Sequence, residues 1–287
     1  MKISITSGQE KQYKRFVEDA AERALGEAGI DKDGIQKLIE RGDEFQNDIA
    51  ASIKKLSVSN QFANEEVASS YVYPDGYRIK GMTEQTNILR QLLPGIGFAD
   101  EELVKRTLPL NAEGWFAIPK WQTMANTYGE AVEKVFAAIK IQRKGKFYNW
   151  REGQLSPQYL RQTIKSAKMF QKLGEEQKDH DILVVPAQFG LRHRGRSVRR
   201  AREVMNASEF GLGAFAVGIM LLTHPERLVD YENLWAVCAG DEFAPDAVGR
   251  FPGAPYFEFN DDGVGFGAGQ VSLADGSYGS ASGFLPQ

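Results

Sequence analysis

Cysteine is almost missing from this chain: of 287 residues one, Cys238, carries a thiol. An intrachain disulfide framework and a multi-cysteine zinc site are excluded, and a chain that relies on neither fits a reducing compartment. Histidine is nearly as scarce, with three residues and no His-Glu-x-x-His pairing, which excludes a zinc enzyme of that type. Long apolar runs are lacking too. The longest, 211–223, has 13 residues, short of the roughly 20 a spanning helix requires, and reads as a buried helix or a strand pair. Gln9, Glu10 and Lys11 break up any leader-like N-terminus, so a cytoplasmic protein with no membrane partner is expected. No repeat of solenoid length is present.

What the chain has is charge, sorted along its length. Residues 140–202 hold 16 Lys/Arg against 5 Asp/Glu, a net of +11, and residues 203–287 hold 2 against 12, a net of -10, within an overall -3. Such a positive segment has a polyanion to hold or an acidic part of its own chain to fold against.

Hydrophobic spacing outlines the elements. After a short strand over 2–6, Tyr13, Phe16, Val17, Ala20, Ala21, Ala24 and Leu25 recur at helical spacing, with two further helices marked by Ile35, Leu38 and Ile39 and by Phe45, Ile49, Ile53 and Leu56. Residues 1–58 are expected to be a helical N-terminal unit, 59–70 a polar linker, and 71–287 an α+β domain with a basic half (140–202) and an acidic half (203–287). Its strands should be short and largely antiparallel. Tyr71 to Ile79 around Pro74-Asp75-Gly76 predicts a hairpin, Ser156-Pro157 predicts a helix start running to about Lys172, and Asn260-Asp261-Asp262-Gly263 predicts a hairpin turn.

Three basic elements could hold phosphates. Arg161, Lys165, Lys168 and Lys172 stand at i, i+4, i+7 and i+11 of the expected helix, within an arc of about 60°; a solvated helix face explains the same stripe. Lys144, Lys146 and Arg151 surround Phe147, Tyr148 and Trp150, which suits rings stacking on bases while cations hold phosphates, or a pair of core aromatics. The third is the loop of Arg192, His193, Arg194, Gly195 and Arg196, followed by Ser197 and a helix opening with Arg199 and Arg200. Cations at a helix start oppose its dipole, so this pattern calls for a bound phosphate, sulfate or carboxylate, or for ion pairs with the chain's own acidic residues. His193 is the best acid/base candidate. Asp241, Glu242 and Asp246 are weak candidates for holding Mg²⁺ or Ca²⁺, although ordinary ion pairing explains them too and no cofactor is expected. Gly211, Gly213 and Ala216 fit a degenerate dinucleotide fingerprint but lack the strand that should precede it.

At Leu221-Leu222-Thr223-His224-Pro225-Glu226-Arg227-Leu228 and at the ending 279–287, the chain resembles a family of uncharacterised bacterial proteins from candidate-phylum genomes. The resemblance covers roughly the last hundred residues, a stretch of one-domain scale. It implies a bacterial cytoplasmic protein and no particular activity.

The expected function is that of a binding protein holding nucleic acid or another phosphate-bearing ligand on the 140–202 surface. A second possibility is an enzyme acting on a phosphorylated small molecule, with His193 as acid/base and Asp241 or Glu242 as base or metal ligand. The third is a structural protein whose basic and acidic halves pair internally.

Overall fold

The computed structural model describes residues 6–57 and 60–286 and divides the chain into two compact units, Met1–Ser59 and Asn60–Gln287. The strand expected over 2–6 lies, apart from Thr6, outside the described residues, as does the unit boundary at 58–59.

Among the described residues the first unit has the helices α1 (Ser7–Ala28), α2 (Lys32–Glu40) and α3 (Gly42–Ser57). Gly29, at φ +57, follows α1, and the Asp31 carboxylate caps α2 by accepting from Gly34 N at 2.9 Å. Their apolar stripes stay at the surface: Phe16 is 72% and Ile39 65% exposed.

The second unit is α+β with mostly antiparallel strands. One sheet has the order β1 (Gly114–Pro119), β4 (Ile182–Gln188), β11 (Ser282–Phe284), β5 (Glu209–Gly211). All of β4 is buried, as its unbroken apolar run predicts, and the last strand of the chain inserts between β4 and β5. The other sheet runs β10 (Tyr278–Ser280), β6 (Trp235–Val237), β8 (Gly253–Asn260), β7 (Asp241–Phe243), β3 (Leu160–Gln162), with β9 (Gly263–Gln270) on β8 and β2 (Phe147–Asn149) on β9. The expected turn joins β8 to β9 through Asp261 and Asp262, with Asn260 opposite Gly263.

Helices α4 (Met82–Leu92), α5 (Tyr128–Gln142), α6 (Ile164–Glu176), α7 (Val198–Val204) and α8 (Ala214–Thr223) complete the unit. Every residue of α8 is buried, which its all-round apolar sequence requires. It packs on α5, α4 and β1; a Cβ at Gly218 would come within 2.7 Å of Val135 on α5. Cys238 is buried in this core. No helix among the described residues is long and apolar enough to cross a membrane.

Three expectations are corrected. No hairpin forms over 71–79; Val72 makes an isolated bridge to Asn233, while Tyr73 and Tyr77 turn into an aromatic cluster with Phe189. No helix starts at Ser156-Pro157: residues 160–162 form β3, where Leu160 is buried and Arg161 lies opposite Glu242 on β7, and the helix begins after Thr163, whose hydroxyl accepts from Ser166 N at 3.2 Å. The polar stretch expected as a linker belongs, from Asn60 onward, to the second unit, held by bonds to α7 and to the loop before it.

Candidate functional site

The arginine loop does meet an anion, and the anion is the protein's own. Ser197 caps α7, its hydroxyl accepting from Arg200 N at 3.1 Å and donating to Glu65 Oε2 at 2.6 Å. Arg199 Nε donates to both Glu65 oxygens, at 2.8 and 2.7 Å, and its Nη2 pairs with Oε1. The carboxylate of Glu65 thus occupies the place at the start of α7 that the sequence assigns to a ligand. Arg196 and Arg200 share Glu66, at 3.3 and 2.5 Å, and Arg200 also reaches Glu203 at 2.9 Å. These guanidinium groups hold Glu65 and Glu66 below the usual carboxylate range, the hydrogen bonds from Arg199 and Arg200 being the main cause. Gly195, at φ +75, accommodates the 60–70 backbone: a Cβ there would stand 2.2 Å from Val67 O.

Arg192 donates to both oxygens of Glu209, at 3.0 and 3.1 Å, and Arg194 to Tyr71 O at 3.0 Å. His193 is fully buried, with Nε2 2.7 Å from Glu209 Oε1 and Nδ1 3.3 Å from Arg196 Nη1. A carboxylate on one side and a guanidinium on the other assign the proton to Nε2 and leave Nδ1 as acceptor. Burial lowers its pKa, the Glu209 carboxylate opposing the shift. The ring is sealed from solvent and both of its nitrogens are engaged by neighbouring side chains.

The other candidates are dispersed. Arg161 sits on β3, not on the helix with Lys165, Lys168 and Lys172; it pairs with Glu242 at 2.8 Å and lies 3.7 Å over the Phe251 ring. Lys165 reaches Asn206 O at 3.1 Å, and Lys168 and Lys172 stand exposed on α6. Lys146 pairs with Asp262 at 3.0 Å, Arg151 donates to Ala268 O at 3.1 Å, and Lys144 is exposed at a left-handed φ of +55. Phe147 is a core residue packed on Phe136, whereas Tyr148 stacks on Trp150 with centroids 5.9 Å apart and planes 17° from parallel. Asp241 is buried, Glu242 is engaged by Arg161 and Asp246 is exposed, so the weak metal candidates do not converge; no such cluster exists among the described residues.

What the sequence did not reveal is a cleft of about 620 Å³. One wall is a stripe of α6: Ala167, Phe170, Gln171, Gly174 and Glu175, continued by Lys178 just past the helix end. These recur at i, i+3, i+4, i+7, i+8 and i+11, the spacing of one helix face. The opposite wall is Ile118 and Pro119 at the end of β1, the turn 120–123, Tyr128 at the start of α5 and Leu183 on β4. Gly213, Phe215 and Ala216, at the start of α8, form the floor. Trp121 meets Tyr128 edge to face at 5.9 Å, and Phe170 meets Phe210 likewise at 5.3 Å.

Gly174 keeps this space open. A helix-interior glycine costs roughly 0.5–1 kcal/mol relative to alanine, yet a Cβ here would meet nothing closer than Lys120 Cε at 3.9 Å. No packing constraint explains the glycine, but any longer side chain would enter the cleft. Lys120 Nζ donates to Gln177 O at 2.9 Å and Lys178 O at 3.4 Å, tying the β1 side to the end of α6. Behind the floor, Asp241 is fully buried and pushed up to about 7 by desolvation. It does not line the cleft; a Cβ at Gly213 would stand 2.2 Å from its Oδ1 and 2.4 Å from the Tyr128 hydroxyl.

The helix stripe with its interior glycine was the available signal for the cleft, but the remaining walls come from segments scattered between residues 118 and 216. No protein-family model, no curated protein and no solved structure matches this chain.

Proposed function

We propose that this chain is a binding protein that takes a small, largely apolar molecule into the cleft between α6 and the β1–α8 side of the fold. The observation that carries this reading is the aromatic-walled space of about 620 Å³ kept open by Gly174, a volume within the roughly 300–1,000 Å³ of small-molecule sites. The test is titration with the apolar fluorophore N-phenyl-1-naphthylamine. Saturable binding by the wild type, lost in Gly174→Leu, is expected; unchanged binding in a folded Gly174→Leu protein refutes the proposal. Should that variant fail to fold, Ala167→Trp blocks the same wall from a partly solvated position.

A second reading, nucleic acid or another phosphate-bearing ligand, draws on one observation. Trp150 is 55% exposed and stacked on Tyr148, with Lys144 and Lys146 nearby in the chain. Rings presented this way suit single-stranded bases. Against it stands the pairing of Arg192, Arg196, Arg199 and Arg200 with carboxylates. A salt titration with a single-stranded oligonucleotide decides: affinity that falls with log salt and is lost in Trp150→Ala supports it, and no binding at low salt ends it. The cytoplasmic location belongs to the same proposal and rests on the near absence of cysteine.

A further inference from the structure

Building on the cleft as the ligand site, we infer that its ligand is an uncharged, flat heteroaromatic compound carrying hydrogen-bond donors and acceptors on its edge. Trp121, Tyr128, Phe170 and Phe215 line the space. Aromatic walls favour ring ligands over flexible chains, because rings meet rings in offset or edge-to-face contact and lose few rotamers on binding.

The polar groups of the cleft narrow the class further. Three of them are carboxamides, Gln122, Gln162 and Gln171, beside Lys120, Thr123, Tyr128, Glu175 and Lys178. Gln171 donates to Glu175 at 2.9 Å, while the side chains of Gln122 and Gln162 have no hydrogen-bond partner among the described residues. A carboxamide offers two donors and one acceptor in a single plane. That complements the edge of a neutral lactam or aminopyrimidine ring, which likewise alternates donors and acceptors.

The charged side chains that line the cleft are Lys120, Glu175 and Lys178. The Lys120 ammonium is committed to the carbonyls of Gln177 and Lys178. The remaining Lys178 lies three residues beyond Glu175, and the formal charges of these two side chains are opposite. A phosphate or a fatty-acid carboxylate would have to surrender its water without a dedicated cation in return.

The test is isothermal titration calorimetry with three probes: lumichrome (neutral, tricyclic, with a polar edge), N-phenyl-1-naphthylamine (aromatic, without that edge) and dodecanoate (an anionic chain). Lumichrome should bind at least tenfold more tightly than either of the others, and Gln162→Leu should weaken lumichrome about tenfold while leaving N-phenyl-1-naphthylamine unchanged or tighter. If N-phenyl-1-naphthylamine or dodecanoate matches lumichrome, or Gln162→Leu leaves lumichrome unaffected, the inference about ligand class is wrong and the cleft proposal stands. Absence of binding by all three overturns both.

Discussion

The Tyr128 hydroxyl lies 3.0 and 2.8 Å from the two carboxylate oxygens of Asp241, and the Ala214 amide donates to one of them at 2.7 Å. Gly213 at the N-cap of α8 has no side chain to satisfy that amide, so a carboxylate from β7 does it instead. Burial pushes this carboxyl from 3.8 up to about 7. The native state therefore holds its proton more tightly than the unfolded chain does. The group's stabilisation is complete below 3.8 and is lost as pH rises through about 7. Urea unfolding of Asp241→Asn and wild type across this window should show the variant gaining relative to wild type as pH rises; a pH-independent difference contradicts the assignment.

His224 runs the other way. Its Nε2 accepts from Lys80 N at 2.9 Å, which places the ring proton on Nδ1, 3.2 Å from Met220 O. Burial lowers its pKa from 6.5 to about 4, so the unfolded state takes up the proton first and stability is lost as pH falls through this window. His224→Gln should gain relative to wild type as pH drops from 6.5 to 4 in the same measurement.

Glu65 and Glu66 neutralise the loop that looks like a phosphate site. Replacing both by glutamine removes the negative partners of Arg196 and Arg199, while Arg200 keeps Glu203. The variant should elute from heparin at higher salt than wild type and be cut faster by protease within 60–70, because guanidinium groups freed of carboxylates seek other anions. Identical elution would show that the ion pairs do not mask the loop.

Arg227 is fully buried, with its guanidinium 3.7 Å over the Tyr73 ring and Nη2 donating to Leu234 O at 2.9 Å. Its Nε and Nη1 have no hydrogen-bond partner among the described residues. An incompletely satisfied buried charge contributes less than its contacts suggest, whereas its volume is needed. Arg227→Met should stay within about 1 kcal/mol of wild type and Arg227→Ala should lose about 3 kcal/mol in denaturant unfolding. Equal losses would mean that charge rather than volume dominates.

Gly174→Ala should raise stability by up to about 1 kcal/mol, since the helix gains propensity and the new methyl meets only ordinary contact. The same methyl narrows the cleft, so N-phenyl-1-naphthylamine should bind more weakly. A change that stabilises the fold while weakening binding separates the two roles of this position.

Patterns spanning a few residues are legible in the sequence alone. The apolar run of β4, the wholly apolar α8, the Asp261-Asp262 turn and the cap at Ser197 each depend on neighbours close in the chain. So does the need of the arginine loop for an anion, because a helix that opens with cations is unfavourable wherever it lies. Which anion answers that need is a different kind of question. Glu65 stands 134 residues before Arg199, in a stretch whose composition reads as a linker. Arg161 lies on a strand, opposite Glu242 on the paired strand, and not on its expected helix, and the cleft assembles from helix, strand and turn segments far apart in sequence. Burial and pairing at such separations follow from how sheets and helices close on one another, which no local periodicity encodes.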